Sequence, residues 1–401
     1  MKKMYSVLKV FFIFLVVLSF STIGLTEQVQ ASDSKTLKIG AIIALTGMMA
    51  AGHKPVSDSL KPTETLLNQH GGITVNGQHY DIEIVVEDSQ SSPPGAVAAI
   101  NKMIQHGIKF TLAPIFMPNN LAIAPIAEEA KVLRVVFSTV GLELFGPNLR
   151  YIFCTDLCVY NIGAVYDYMK KTYPQVKKIA HIMPDDPGGM RFRDYDIKIA
   201  KKNGMETVFN EAFPIGTEDF YPILTKALAK KPDAIDIEFC IVPWSKGIIT
   251  QARELGFKRV FYYPSFLGDI NQLRSMLAPE YAYDIFHAGA DVLSPKMLPI
   301  VKDLGKLVEK ELPTKFNMDH VMLLQGIWPL LQAIEKAQSF DTDKVVDTWA
   351  KMKSVESIFG KGTMGGMDTV GINRILIRPV TISRIVNKDK EVEFGFYEPI
   401  Y

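Results

Sequence analysis

The sequence predicts an α/β protein of two lobes, each with a parallel central sheet. Short β-branched runs alternate with helical patterns, and this alternation occurs twice along the chain. The chain has 401 residues, of which about 370 remain once an export signal is removed, and this length suits two domains better than one. Because strands that alternate with helices form parallel β-α-β units, we expect each series to build its own sheet.

The first 31 residues form an export signal. They begin with two lysines, continue with an almost uncharged apolar run over 10–23 and end in the small residue Ala31. This pattern is typical of a secretory signal cleaved after Ala31. Beyond it the sequence has no apolar run of the roughly 20 residues needed to span a bilayer. A lipid anchor would require a cysteine at the cleavage point, and no cysteine occurs before Cys154. We therefore expect a soluble periplasmic protein without stable membrane insertion.

The first series of elements follows the signal. Its strand-like runs and helical patterns are recognised by β-branched composition and by apolar residues at helical spacing. The expected strands are 37–47, 80–90, 109–116 and 132–139. The expected helices are one that ends near 68–72, then 94–105 and 122–130.

The second series begins after Cys154, Thr155 and Asp156. The expected helices are 161–173, 190–203, 219–230 and 246–255. The expected strands are 177–184, 205–214, 234–242 and 259–266. The order of elements matches the first series without the fixed repeat length of a solenoid.

The last part of the chain departs from this alternation. A strand is predicted over 283–293, and two long helices and a short one are predicted over 297–311, 319–339 and 342–354. The chain closes with two alternating strands around the turn 387–390, which indicates a hairpin. Long helices this late must pack on an earlier sheet, so we expect the first lobe to be discontinuous in sequence.

Composition excludes several classes of partner. Apolar residues make up 48% of the chain and charged residues 22%, as in a globular protein. Lysine and arginine total 44 against 43 acidic residues, so no net field favours nucleic acid. Cys154 and Cys158 could form a small disulfide, but buried free thiols are favoured, because side chains four residues apart on a helix aim poorly for a bridge. No histidine lies at ligand spacing from the cysteines, so zinc is not expected.

Motifs of catalysis are missing from the sequence. It contains no GxSxG elbow, no HExxH helix and no GxxxxGKS/T loop. The acidic pair Asp185–Asp186 follows a strand, but such pairs are commonly turn or cap residues, and the glycine pairs at 71–72 and 188–189 indicate turns or helix ends. We expect no catalytic residue, no metal and no cofactor. The aromatic run 261–266 and Trp244 lie at strand ends, where they either contact a ligand or pack in the core.

Several stretches resemble one family. They are KIGAIIALTGMMAAG, LLNQHGGITVNGQHYDIEIVVEDSQSSPPGAVAAINKMI, Thr155–Asp156, GTEDFYPILTKALAKKPDAI, ITQARELGF and the closing hairpin. Together they cover nearly the whole mature chain and resemble the type I periplasmic solute-binding proteins of ABC importers, in the branched-chain amino-acid (leucine/isoleucine/valine-binding) group. The second stretch is the most diagnostic.

The resemblance implies two Rossmann-like lobes joined by three hinge crossovers, near 155–158, 284–290 and 358–365. Lobe 1 would comprise 32–155 plus 287–360, and lobe 2 would comprise 156–286 plus 361–401. The family closes around a small-molecule ligand and delivers it to the membrane permease of an ABC importer, without catalysis. We expect a monomer of this kind.

The family's ligand loops can be placed by position. On lobe 1 they follow three strands, and on lobe 2 they follow the strands of the second series. Ligand contacts are expected from Met48, Phe116, Met117, Asn119, Ser138, Thr139, Asp186, Pro187, Val242, Trp244, Tyr263, Ser265 and Phe266. Ser138 and Thr139 suit a carboxylate, with strand-end capping as the alternative role.

One departure from the family bears on the ligand. Ser265 stands where amino-acid binders place the acid that grips the ligand ammonium, and a desolvated ammonium without a counter-charge costs several kcal/mol. We therefore expect an apolar or aromatic carboxylate, while Asp269 keeps a branched-chain-type amino acid open. Two other functional classes are a ligand-sensing receptor that acts with a separate sensor protein and a secreted α/β hydrolase, against which the missing motifs argue.

Overall fold

The computed structural model describes residues 35–139, 141–263, 270–288, 292, 294 and 296–397. The expected export signal therefore lies outside the described residues. Among the helices that are described, none is both long enough and apolar enough to cross a membrane.

A nine-stranded sheet organises the first part of the chain. Its order is β12-β13-β14-β6-β5-β4-β1-β3-β2. The strands are β1 (Lys35–Ile43), β2 (Ile73–Val75), β3 (Gln78–Asp88), β4 (Phe110–Leu112), β5 (Leu133–Val136), β6 (Ile152–Cys154), β12 (Val355–Ser357), β13 (Gly360–Gly365) and β14 (Ile375–Ile377). Neighbours β1, β4, β5 and β6 pair in parallel, so their carboxyl ends meet at one edge.

A seven-stranded sheet organises the second series. Its order is β16-β15-β11-β10-β9-β7-β8. The strands are β7 (Lys178–Pro184), β8 (Glu206–Phe213), β9 (Ala234–Asp236), β10 (Val260–Tyr263), β11 (Ile285–Ala288), β15 (Val380–Asn387) and β16 (Lys390–Tyr397). Strands β8, β7, β9, β10 and β11 are parallel, and the hairpin β15–β16 is antiparallel. The α/β prediction with two parallel-dominated sheets is confirmed.

Helices connect and cover the strands. They are α1 (Lys54–Asp58), α2 (Leu60–Gln69), α3 (Pro93–Gln105), α4 (Met117–Glu129), α5 (Val159–Thr172), α6 (Pro187–Lys202), α7 (Tyr221–Ala229), α8 (Val242–Glu254), α9 (Ile270–Met276), α10 (Pro299–Glu311), α11 (Met322–Ala337), α12 (Thr342–Trp349) and α13 (Met367–Val370).

The late helices pack on the first sheet, as the sequence predicts. Helix α11 contacts β2, β4 and β5, and α10 contacts α2. The fully buried Trp349 of α12 stacks on Phe153 of β6 with ring centroids 4.1 Å apart. This core therefore joins residues almost 200 positions apart in the chain.

The chain passes between the sheets three times. The first two passages lie after β6 and after β11, near the expected positions. The third lies between Ile377 and Val380 rather than at 358–365, because β13 and β14 still belong to the nine-stranded sheet. The closing apolar stretch is thus divided between two sheets, which its alternation alone does not reveal. The assignment of whole segments to lobes stays a prediction.

Two local expectations are corrected. The strand expected over 234–242 ends at Asp236. Helix α8 already begins at Val242, and Pro243, which follows, suits a first helical turn. Cys154 and Cys158 do not share a helix: Cys154 ends β6 and Cys158 precedes α5. Both thiols, like that of Cys240, are free and buried, as favoured from the sequence.

Candidate functional site

Side chains at the end of β3 and just after it hold the loop that follows β1. Asp88 accepts hydrogen bonds from the amides of Leu45 (2.9 Å) and Thr46 (3.2 Å) and from the Thr46 hydroxyl (2.6 Å). The Ser91 hydroxyl donates to the Thr46 carbonyl at 2.7 Å. Burial alone would raise the pKa of the Asp88 carboxyl, but the hydrogen bonds that this carboxyl accepts outweigh burial and hold the pKa below its usual value. Met48, at the loop tip, is 84% exposed.

The loops after β4 and β5 meet at one point. Phe116 takes the N-cap position of α4 and offers no side-chain acceptor to the first turn of the helix. Met117 lies against Gly141, where an added Cβ would stand 2.4 Å from the Met117 sulfur. A side chain at position 141 would therefore displace Met117. Asn119 is fully buried, and neither atom of its amide group has a hydrogen-bond partner among the residues described.

Ser138 and Thr139 lie beside the first passage between the sheets. The Thr139 amide donates to the Asp156 carbonyl (3.1 Å), and the Thr139 hydroxyl accepts from the Gly141 amide (3.1 Å). The Ser138 hydroxyl is 3.6 Å from the Cys158 sulfur. Thr139 thus performs the strand-end capping weighed as its alternative role. Since its hydroxyl accepts in this bond, it keeps a proton that it can donate.

Helix α6 follows a strand of the second sheet, and its side chains contact loops of the first sheet. Asp186 caps the helix by accepting from the amides of Gly188 (2.7 Å) and Gly189 (3.0 Å), and Pro187 follows as the first helical residue. One turn later Arg191 forms an ion pair with Glu143 at 2.7 Å. The same guanidinium lies 3.1 Å from the Met117 sulfur. Residues carried by both sheets therefore converge here.

A second ion pair lies where the chain passes between the sheets. Arg378 contacts Asp156 at 2.6 Å, and its guanidinium lies 4.0 Å from the centroid of the Phe359 ring. Together with Ser138 these residues line a cavity of ≈ 70 Å³. The pair connects the first and the third passage directly.

The remaining predicted residues fall into two groups. Val242 and Tyr263 are buried in the core of the second sheet, and the half-buried Trp244 packs on Phe213 of that core, with ring centroids 5.4 Å apart. Ser265 and Phe266, and the alternative acid Asp269, lie outside the described residues. The aromatic run thus supplies core packing wherever it is described.

Comparison with known proteins places the chain. The family model described as periplasmic binding protein matches residues 36–390. The chain belongs to this family. Among curated members of the periplasmic binding protein family, the Leu/Ile/Val-binding protein of Escherichia coli is 23% identical over 367 residues, covering 88% of this chain and 92% of that protein.

Solved structures agree on the periplasmic binding protein fold. A leucine-binding protein from Thermotoga maritima superposes with a TM-score of 0.69 at 20% identity, covering 91% of this chain and 99% of that one. A solute-binding protein of an ABC transporter from Rhodopseudomonas palustris, in complex with 3,4-dihydroxybenzoic acid, has a TM-score of 0.69 at 22% identity, covering 91% and 98%. The expected family is therefore confirmed by the family model, and the solved structures share its fold.

Sequence reasoning missed four charged residues of this periplasmic binding protein. Glu143 and Arg191 pair between loop and helix, and Asp156 and Arg378 pair between two passages. The pairs join positions 48 and 222 residues apart, which spacing along one sequence cannot reveal. A signal was available for Asp156, since it lies in the quoted crossover motif.

Proposed function

We propose that this protein is the extracytoplasmic solute-binding component of an ABC importer. It captures a small apolar or aromatic carboxylate between the loops of its two sheets and delivers it to a membrane permease. The proposal rests on family membership for the transport role and on one contact for the ligand class. That contact is the convergence of Arg191 with Met117, a cation beside a polarisable apolar side chain.

The chemistry of this convergence favours an acid with an apolar body. A guanidinium binds carboxylates in a fork geometry and stacks on aromatic faces. A methionine sulfur makes favourable contacts with aromatic rings. On the other side, the Thr139 hydroxyl keeps a proton to donate, and the first turn of α4 begins at a residue without a side-chain acceptor. A ligand carboxylate at the helix start would also be favoured by the helix dipole.

A branched-chain amino acid is the second candidate. The curated relative is named for leucine, isoleucine and valine. Glu143, paired with Arg191 on the same rim, is an acid that could receive an ammonium group. The two candidates therefore differ in which member of this ion pair the ligand displaces.

A thermal-shift panel tests the proposal. Benzoate, phenylacetate and short fatty acids are run beside leucine, valine and glutamate on the mature protein. A ligand at 100-fold its dissociation constant adds about 2.7 kcal/mol to the free energy of unfolding and raises the melting temperature by several degrees. Stabilisation by carboxylates without an amino group is expected. Stabilisation only by amino acids would contradict the ligand class, and turnover of a ligand would contradict the transport role.

Two variants sharpen the assignment. Arg191→Met should weaken a carboxylate ligand about tenfold or more, because a charge-assisted hydrogen bond is lost. Lys201→Met, the same charge change at the exposed far end of α6, is the matched control and should bind as the parent does. Glu143→Gln should leave a simple carboxylate bound at least as tightly, because it releases Arg191, whereas it should weaken an amino acid. An unchanged affinity in Arg191→Met would remove this residue from the site.

A further inference from the structure

Three polar side chains meet in the interior of the second sheet's layer. His181 of β7, Asp196 of α6 and Asp236 of β9 are each at most 1% exposed. One ligand-type atom from each lies within 4.8 Å of the others. His181 Nδ1 is 2.8 Å from Asp236 Oδ2. Such a group is unusual beneath a parallel sheet, whose buried surfaces are normally apolar.

The two aspartates differ in how they are satisfied. Asp236 accepts from the Tyr166 hydroxyl at 2.7 Å and from the Glu238 amide at 2.9 Å, in addition to its contact with His181. Asp196, at 0% exposure, has no hydrogen-bond donor on either oxygen within the described part of the chain. Buried carboxylates are normally paired or coordinate metals. Asp196 therefore needs either a proton shared with the neighbouring Asp236 carboxyl or a cation.

Charge makes this requirement more severe. Glu238 is 3% exposed, and its Oε2 also has no partner among the described residues. The charged groups that act on Asp196 are the carboxyls of Asp236 and Glu238. The cluster needs positive charge, supplied either by protons or by a cation.

The geometry points to a cation. We propose that His181, Asp196 and Asp236 bind a divalent transition-metal ion of the Zn²⁺ type. Imidazole and carboxylate together form a ligand set that Zn²⁺ accepts, with bonds of about 2.0–2.2 Å. Ligand atoms of a tetrahedral ion with these bonds lie about 3.4 Å apart. The atoms of the cluster that lie up to 4.8 Å apart would therefore have to approach one another, and the 2.8 Å contact between His181 and Asp236 would have to widen, as the ion binds.

The surroundings of the histidine match this role. His181 Nε2 is 3.1 Å from the Thr207 hydroxyl. With its proton on Nε2, the ring donates to Thr207 and presents a lone pair on Nδ1 to the cluster. A second ring nitrogen held by such a hydrogen bond is usual for metal-binding histidines, because the bond fixes the tautomer and the ring orientation. Tyr166 supports Asp236 in the same manner.

The ion would link β7, α6 and β9. Asp196 follows Arg191 by five residues, about 7.5 Å along α6. The ion would therefore fix the helix that carries the cationic side of the proposed ligand site. The metal proposal is independent of the ligand class and of the transport role.

Metal content of the refolded protein tests this site. The mature protein is unfolded in guanidinium chloride with EDTA, refolded with or without ZnCl₂, desalted and measured by inductively coupled plasma mass spectrometry and by thermal melting. Refolding is used because a fully enclosed site fills as the chain folds. We expect about one ion per chain and a melting temperature several degrees higher in the zinc-refolded sample.

Paired variants control the result. Asp196→Asn keeps the shape of the side chain and should abolish stoichiometric zinc and the zinc-dependent shift. Asp194→Asn, on the same helix with a side chain 74% exposed, should retain both. Parent protein that refolds without bound zinc and melts at the same temperature in both samples would overturn the proposal. In that case a proton shared between Asp196 and Asp236 neutralises the cluster. Because the parent's own zinc content decides, the test stands even where Asp196→Asn fails to fold.

Discussion

Replacing Arg378 with methionine tests the ion pair that joins the first and third passages. The Arg378 side chain is 6% exposed and that of Asp156 is 15% exposed, so water screens the pair poorly. Arg378→Met leaves the Asp156 carboxylate buried without its partner. Removing one member of a buried pair costs about 3–5 kcal/mol. We expect a loss of about 3 kcal/mol in the free energy of unfolding, near the lower value because Asp156 keeps some contact with water.

Urea unfolding followed by circular dichroism measures this loss. Asp156→Asn and the double variant complete a cycle, in which the two single losses should exceed the double loss by about 1–3 kcal/mol. Lys361→Met, an exposed cation on β13, is the control and should stay within about 0.5 kcal/mol of the parent. An Arg378→Met loss below about 1 kcal/mol, or strictly additive losses, would refute a buried and energetically coupled pair.

Three further predictions concern the loops and the thiols. Asp88→Ala should lower stability by about 2–4 kcal/mol and speed protease cleavage in the loop after β1, because several hydrogen bonds are lost together; equal cleavage rates would contradict this. Since the pKa of Asp88 is lowered in the folded state, its contribution should be present near neutral pH and fade as the pH falls below about 4. Thr139→Val should weaken a carboxylate ligand by about 1–3 kcal/mol in calorimetry, and unchanged binding would exclude a role for its hydroxyl. Burial raises the pKa of Cys154, Cys158 and Cys240, so Ellman's reagent should label these thiols slowly in the native protein and all of them in urea, whereas a disulfide would leave a single reactive thiol.

The alternation of strands and helices was readable from the sequence, because most of the longer strands are apolar or alternating runs bounded by turn residues. The long helices α10 and α11 were also readable, as was their need for an earlier sheet. Some of the three-residue strands were not readable. Strand β6 has three residues, and an apolar run of that length has no periodicity to measure.

The predicted strand boundaries were wrong where one stretch of similar composition contains more than one structural element. The run 234–242 is apolar except for Asp236 and Glu238, yet it contains a three-residue strand, a turn and the start of α8. Likewise the closing run gives Ile375–Ile377 to one sheet and Val380–Asn387 to the other. Local patterns indicate that a segment is buried, but only its pairing with strands distant in sequence decides which sheet it joins.

The candidate site was predictable only where it is local in sequence. The motif around Asp88 was recognised as diagnostic, and the structure supplies its physical reason, since its side chains hold the loop after β1. The contact of Arg191 with Glu143 and the cluster of His181 with Asp236 depend on the packing of distant elements. A single sequence contains no record of such packing.

The position of β14 imposes an order on folding. Ile375 pairs with Cys154 of β6, and the Cys154 amide donates to the Arg374 carbonyl at 2.8 Å. The first sheet is therefore incomplete until more than 220 further residues have been synthesised after β6. Because loop closure over such separations is slow, we expect this sheet to be completed only after almost the whole chain has been made.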